Sequence, residues 1–308
     1  MLKLRHCQKQ QNVVGYLKKK RMRKITNLII ILLTNLSVFS QNAEVEIRNI
    51  FKDSTDSNKI YYSISLKVKD LELDEYHQVG LLEAKGIEEN GNNLNVDKWY
   101  TEDYKLGLEI LTEPMINEIK KLDYLEGKFK YFLPTLKNKS IMHIDNFKEK
   151  FNSNLLYKKS KQSKAILLNI EEFKKLSTDS IKYKVEIEKI EKNLKTPKNS
   201  IFYALKQFYK DYSFPEVNYK KIFAFYCEDN KEEILKINLI DELSNCFQGG
   251  YGVNRLNSGK LVVLHLLQVP RENCKLEFII ENKDSVKIYN FRLTDIDFDK
   301  YKTSNFDK

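Results

Sequence analysis

The residues best suited to chemistry are few and scattered. Beyond position 41 the histidines are His77, His143 and His265, each isolated. No two stand four apart on a helical face, and there is no Cys-x-x-Cys, so a zinc site would need ligands from distant parts of the chain. Three cysteines remain there, Cys227, Cys246 and Cys274. An odd number leaves at least one thiol unpaired within the chain; three single bridges are open, beside buried free thiols. Cys246 with His265 is a conceivable nucleophile–base pair only if folding joins them. Asp295, Asp297 and Asp299 imitate the start of a calcium loop, but Lys300 stands where the turn needs glycine and Phe306 where a bidentate glutamate is needed. Their alternation with Ile296 and Phe298 reads as the solvent face of a last strand. Gly249-Gly250-Tyr251-Gly252 and Ser258-Gly259-Lys260 lack the flanking residues of phosphate-binding loops and read as loops between strands. Trp99-Tyr100 is the one pair able to stack on a sugar or anchor a partner. No catalytic residue, metal or cofactor is therefore assigned.

The elements that must position these residues begin after an export signal. Lys18 to Lys24 form a basic cluster, Ile25 to Phe39 an apolar run, and Ser40 a small residue before Gln41. That order of charge, apolar core and cleavage site predicts cleavage at Ser40/Gln41. The run is short of the roughly 20 residues of a membrane-spanning helix. Met22-Arg23-Lys24 ahead of it would make a complete signal alone, so Met22 is an alternative start. The segment also explains the charge. Of 53 Lys and Arg against 43 Asp and Glu, nine lie in residues 1–41, which hold no acid; the remainder is 44 against 43. A nucleic-acid-binding body would carry its own surplus, and this one does not.

The rest is long enough for two domains. Tyr and Phe number 18 and 17, which favours strands. Ile60, Tyr62, Ile64, Leu66 and Val68 alternate with more polar residues, the period of a half-buried strand. Val45-Ile47, Gln78–Ile87 before the Asn90-Gly91 turn, Leu106–Leu111, Phe129–Leu133, Ile141–Phe147 and Tyr183–Ile187 read likewise. In the second half, 222–226, a nearly continuous apolar run over 261–269, 275–281 and 286–298 are strands, the last with two phase shifts that signal a bulge or bend. Helices are expected at Met115–Leu122 and behind Ser200, where Ile201, Leu205, Phe208 and Tyr212 recur at helical spacing. The Lys-rich stretch 148–165 reads as a loop or linker.

Strand, turn, strand and proline recur in the same order in both halves, ending in Tyr289-Asn-Phe-Arg-Leu-Thr-Asp-Ile-Asp-Phe298. This grammar, with Val38-Phe39-Ser40 before Gln41, resembles exported bacterial envelope proteins with tandem immunoglobulin-like β-sandwich domains, a group largely without assigned function. The resemblance implies a mainly β fold of two immunoglobulin-like β-sandwich domains with a few short helices, after an N-terminal signal segment. The expected divisions are a signal at 1–41, a first sandwich at 42–150, linking elements at 151–215 and a second sandwich at 216–308. The expected role is a non-catalytic module in the periplasm, at the outer surface or outside the cell. Its partner would be another envelope protein or a polysaccharide, with membrane contact only through transient insertion of the signal. A carbohydrate or small-ligand binder, and a hydrolase assembled from scattered groups, are the rival readings.

Overall fold

The computed structural model describes residues 41–54, 59–97, 104–160, 162–212, 217–241 and 248–301. The expected signal segment lies outside them. The fold is mainly β. In chain order the strands are β1 (Gln41–Asn42), β2 (Val45–Ser54), β3 (Ile60–Val68), β4 (Gln78–Glu88), β5 (Asn93–Leu94), β6 (Leu108–Leu111), β7 (Lys121–Phe132), β8 (Ile141–Ile144), β9 (Lys164–Leu168), β10 (Ile222–Glu228), β11 (Ile234–Ile240), β12 (Gln248–Leu256), β13 (Gly259–Leu266), β14 (Lys275–Ile280) and β15 (Val286–Asp297). Three helices, α1 (Ile170–Leu176), α2 (Ser180–Leu194) and α3 (Ser200–Asp211), lie between β9 and β10.

The chain divides into two compact units, and the division is not sequential. One holds 1–73, 79–131 and 287–308; the other holds 74–78 and 132–286. The final strand β15, expected in a second sandwich, instead pairs in the five-stranded sheet β1-β15-β7-β4-β5 of the first unit. Alternation marks a strand as half-buried but does not say which sheet edge it joins.

In the first unit, β2-β3-β6 form the second sheet. The alternation read in β3 is real: Tyr62, Ile64, Leu66 and Val68 are buried. Tyr62 meets the Phe298 ring edge-on at 5.0 Å, and its hydroxyl accepts the Ile119 amide at 3.1 Å. That pairing helps explain why the expected helix over 115–122 is absent. Met115 and Ile60 exchange backbone hydrogen bonds, Ile116 is exposed, and Lys121 already begins β7. The phase shift in β15 coincides with Asp295, whose φ of 53° turns the strand so that burial passes from Tyr289 and Phe291 to Ile296 and Phe298.

The second unit is three-layered. Its four-stranded sheet β12-β13-β10-β9 faces the three-stranded sheet β11-β14-β8 across one core and the helices across another. Phe223, Phe225 and Cys227 of β10 point to the sheet partner; Ile222, Ala224 and Tyr226 point to the helices. β9 and β13 behave the same way. Strands buried on both faces must read as continuous apolar runs, which is what 222–226 and 261–266 are. The helical layer is a third layer beyond the two sheets of a sandwich.

Several expectations fail here. Tyr183–Ile187 is helix α2, not strand: Val185 is exposed, while Tyr183, Ile187 and Ile190 face the core at helical spacing. Asp179 caps it by accepting from the Ile181 and Lys182 amides. The stretch 148–165 is not a solvated linker. Leu155 and Leu156 are buried, and Asn152 and Leu155 donate backbone bonds to β9. The linking region expected at 151–215 is thus part of the second unit. Helix α3 forms as expected, but Ser200 is its first residue rather than its cap. The buried Glu191 carboxylate of α2 instead accepts from the amides of Asn199 and Ile201, at 2.8 and 2.9 Å.

The turn between β10 and β11 is pinned electrostatically. Asp229 accepts from the Glu233 and Ile234 amides and pairs with the Lys260 ammonium at 2.8 Å, with its side chain fully buried. Next to it, a Cβ on Gly259 would stand 2.3 Å from the Cys227 carbonyl oxygen, so only glycine lets the β12–β13 hairpin close against β10. Asp229→Ala strands the largely buried Lys260 charge and two amides. Urea unfolding should show a loss of about 3 kcal/mol; a loss below about 0.5 kcal/mol, the level of ordinary surface changes, would mean the turn does not depend on this carboxylate.

Candidate functional site

Among the described residues, those singled out in the sequence do not converge. Ser40, Trp99, Tyr100 and Cys246 lie outside the described residues, while Gln41 opens β1, parallel to β15. Cys227 and Cys274 are free and buried in the same core, with burial pushing the Cys227 thiol up to about 12. A thiol so raised is a packing group, not a nucleophile. Gly249 to Gly252 lie within strand β12, not in a loop; Ser258 and Gly259 do mark the β12–β13 hairpin. Asp295 is exposed beside Lys121, and Asp297 caps the turn after β15 by accepting the Asp299 amide.

The histidines are separated by the fold. His77 Nδ1 shares a hydrogen bond with Asp74 Oδ2 at 2.9 Å. His265, in β13, lies 4.9 Å from the Tyr212 ring, and burial holds its imidazole below the ordinary value of 6.5. His143 is different. Strand register places Asn238 of β11, Glu277 of β14 and His143 of β8 in one row across the three-stranded sheet. Glu277 accepts from Asn238 Nδ2 at 3.0 Å and from the Tyr76 hydroxyl at 3.1 Å, and its other oxygen faces His143 Nε2 at 3.2 Å. Asn238 and Glu277 are buried; the His143 side chain is about one-third exposed. The carboxylate orients the imidazole, and both of its oxygens are engaged. Asn238 Oδ1 is buried without a partner. Sequence reading missed this row because its members stand at 76, 143, 238 and 277. The linear pattern gives no signal for it, because Glu277 falls on the polar phase of the Leu276, Phe278 and Ile280 alternation and His143 falls between Met142 and Ile144. Among the described residues, no group of three or more His, Cys, Asp or Glu is placed to hold a metal ion.

A concave surface lies on the five-stranded sheet of the first unit. It is a groove of about 780 Å³ crossing β4, β7, β15 and β1. Its walls carry a ladder of charge. Glu126 on β7 takes Lys85 of β4 at 2.9 Å and Arg292 of β15 at 2.7 Å, and Lys128 pairs with Glu83 at 2.6 Å. The strands approach closely at Gly127, where a Cβ would stand 2.2 Å from the Glu83 carbonyl oxygen and 2.8 Å from the Phe291 ring. The Arg292 guanidinium lies 4.5 Å over Tyr124, so that ring is covered. The hydrogen bond to Glu126 raises the Lys85 ammonium further above neutrality, and the same bond holds the Glu126 carboxyl below its usual range. Both therefore stay charged at neutral pH. Neither is poised to move a proton, since acid–base work needs a pKa near the working pH.

Comparison with protein-family models, curated proteins and solved structures finds no match to this chain. Among the described residues, no helix is long and apolar enough to cross a membrane.

The burial of His265 has a pH consequence. Its folded pKa is lowered, so the unfolded chain takes up the proton first. The neutral form's contribution is intact above the unfolded value and is lost as pH falls through it. Melting temperatures from about pH 7.5 down to about pH 5.5 should fall more steeply for the wild type than for His265→Phe. Parallel slopes would show that His265 does not contribute.

Proposed function

We propose that the protein is an exported, non-catalytic interaction module that binds a charged macromolecule in the groove of its five-stranded sheet. The observation that carries the reading is the charge ladder. Lys85 is 70 % exposed, and Glu83, Lys128 and Arg292 are each half-exposed or more, so their ion pairs are open to water and worth little as stabilising contacts. Exposed pairs of that kind exchange partners at small cost, and a facing surface of complementary charge can take over either member. Glu126, satisfied from two sides, fixes the register of the ladder. Export rests on the order of basic cluster, apolar run and Ser40, and it places the partner in the cell envelope. The covered Tyr124 favours a charged protein partner over stacking on a neutral sugar.

The test is crosslinking of the full chain in envelope fractions, with wild type and the Lys85→Glu/Arg292→Glu variant side by side. A specific crosslinked partner is expected for the wild type, weakening as salt rises. The double variant should lose it while remaining folded by circular dichroism, with a lowered melting temperature from the like charges set across the strands. A partner captured equally by both proteins, or a chain found only in the cytosol, would sink the reading.

A further inference from the structure

We infer that the second unit holds a binding pocket for a small aliphatic carboxylate at the end of strand β10. The cavity there is about 360 Å³, within the size range of small-molecule sites. It opens where the two cores of the unit come to the surface together. Ile170 and Ile222 belong to the helix-side core; Phe223 belongs to the core between the sheets, against which Phe151 packs. All four line the cavity. Ile170, Ile222 and Phe223 are almost fully buried, at 4 %, 8 % and 6 % exposure, so each turns only an edge of its side chain to the cavity. Val269, nearly half-exposed, forms its lip.

The polar groups sit at the wall. Lys148 donates its Nζ to the Pro270 carbonyl at 2.9 Å, and both residues line the cavity. One such bond uses a single donor of the ammonium and leaves two. Lys220 adds a second cation and Glu171 one acid, so the lining carries a net positive charge. An apolar body sized for about a dozen non-hydrogen atoms with a cationic margin matches a short or medium-chain carboxylate: the tail takes the isoleucine and phenylalanine surface, and the head takes Lys148 and Lys220. A neutral ligand would leave the ammonium donors unanswered. A fully ionic one would leave the apolar floor wet. This site is separate from the groove of the first unit and does not depend on the reading given to that groove.

Octanoate and 1-octanol, titrated into the full chain by calorimetry, test both halves of the claim. Octanoate should bind saturably. Val269→Trp, a change at a half-exposed position, should fill the mouth and weaken octanoate at least about tenfold. Lys148→Ala/Lys220→Ala should weaken octanoate about tenfold while leaving octanol within about twofold, because only the carboxylate uses the charge-assisted bonds. No saturable octanoate binding, or binding indifferent to Val269→Trp, would overturn the pocket. Equal losses for octanoate and octanol in the lysine variant would overturn the ligand class.

Discussion

The central constraint of this protein is that β10 is buried on both faces. A strand carrying Phe223, Phe225 and Cys227 on one side and Ile222, Ala224 and Tyr226 on the other cannot leave either side in water. Each large apolar side chain removed from water contributes roughly 1.5–3 kcal/mol, so both covers are needed. One cover is the sheet β11-β14-β8, whose Ile237, Leu239, Leu276 and Phe278 face it; the other is the helical layer, led by Phe173, Ile187, Leu205 and Phe208. The chain between β9 and β10 must therefore be helical and amphipathic. The turn after β10 must also be tight enough to bring β11 straight back over the same core. Asp229, held by two amides and Lys260, makes that reversal.

Burying so much sheet leaves a few ionisable groups inside, and each is given partners. Glu191 closes the start of α3, Asp229 closes the β10–β11 turn, and Glu277 ties three strands and Tyr76 into one row. These carboxylates do positional work, and their oxygens are occupied by it. The charges of the first unit are arranged differently. Its groove residues pair across strands at the surface, open to water. Buried polar groups set the architecture here, and exposed ones line the groove on which the proposed binding role rests.

The polar row of the second unit shows how such a feature escapes a linear reading. His143 and Glu277 each look like an ordinary polar position on a half-exposed strand. Register alone turns them into a pair, because the sheet sets His143 opposite Glu277 and Asn238 on its other side. The groove escapes for the same reason. Lys85, Glu126 and Arg292 are unremarkable surface charges until β4, β7 and β15 lie side by side.

By itself, the sequence determined the mainly β character, the positions of most strands, the helix carrying Ile201, Leu205 and Phe208, and the Asn90-Gly91 turn. These depend on period, branched and aromatic residues, and local turn chemistry, all of which act over a few neighbours. It also marked the nearly continuous apolar run at 261–269 as a central strand, which β13 is. Tertiary structure decided the rest. It placed β15 with the first unit, held Tyr183–Ile187 as helix by burying Ile187 and Ile190 in the helix-side core, and kept 115–122 out of a helix by pairing Met115 with Ile60. It alone assembled the polar row, the charged groove and the apolar pocket. Local propensity differs by well under 1 kcal/mol per residue between helix and strand formers, whereas long-range pairing and burial contribute more at each position, so distant partners overrule it wherever the two disagree.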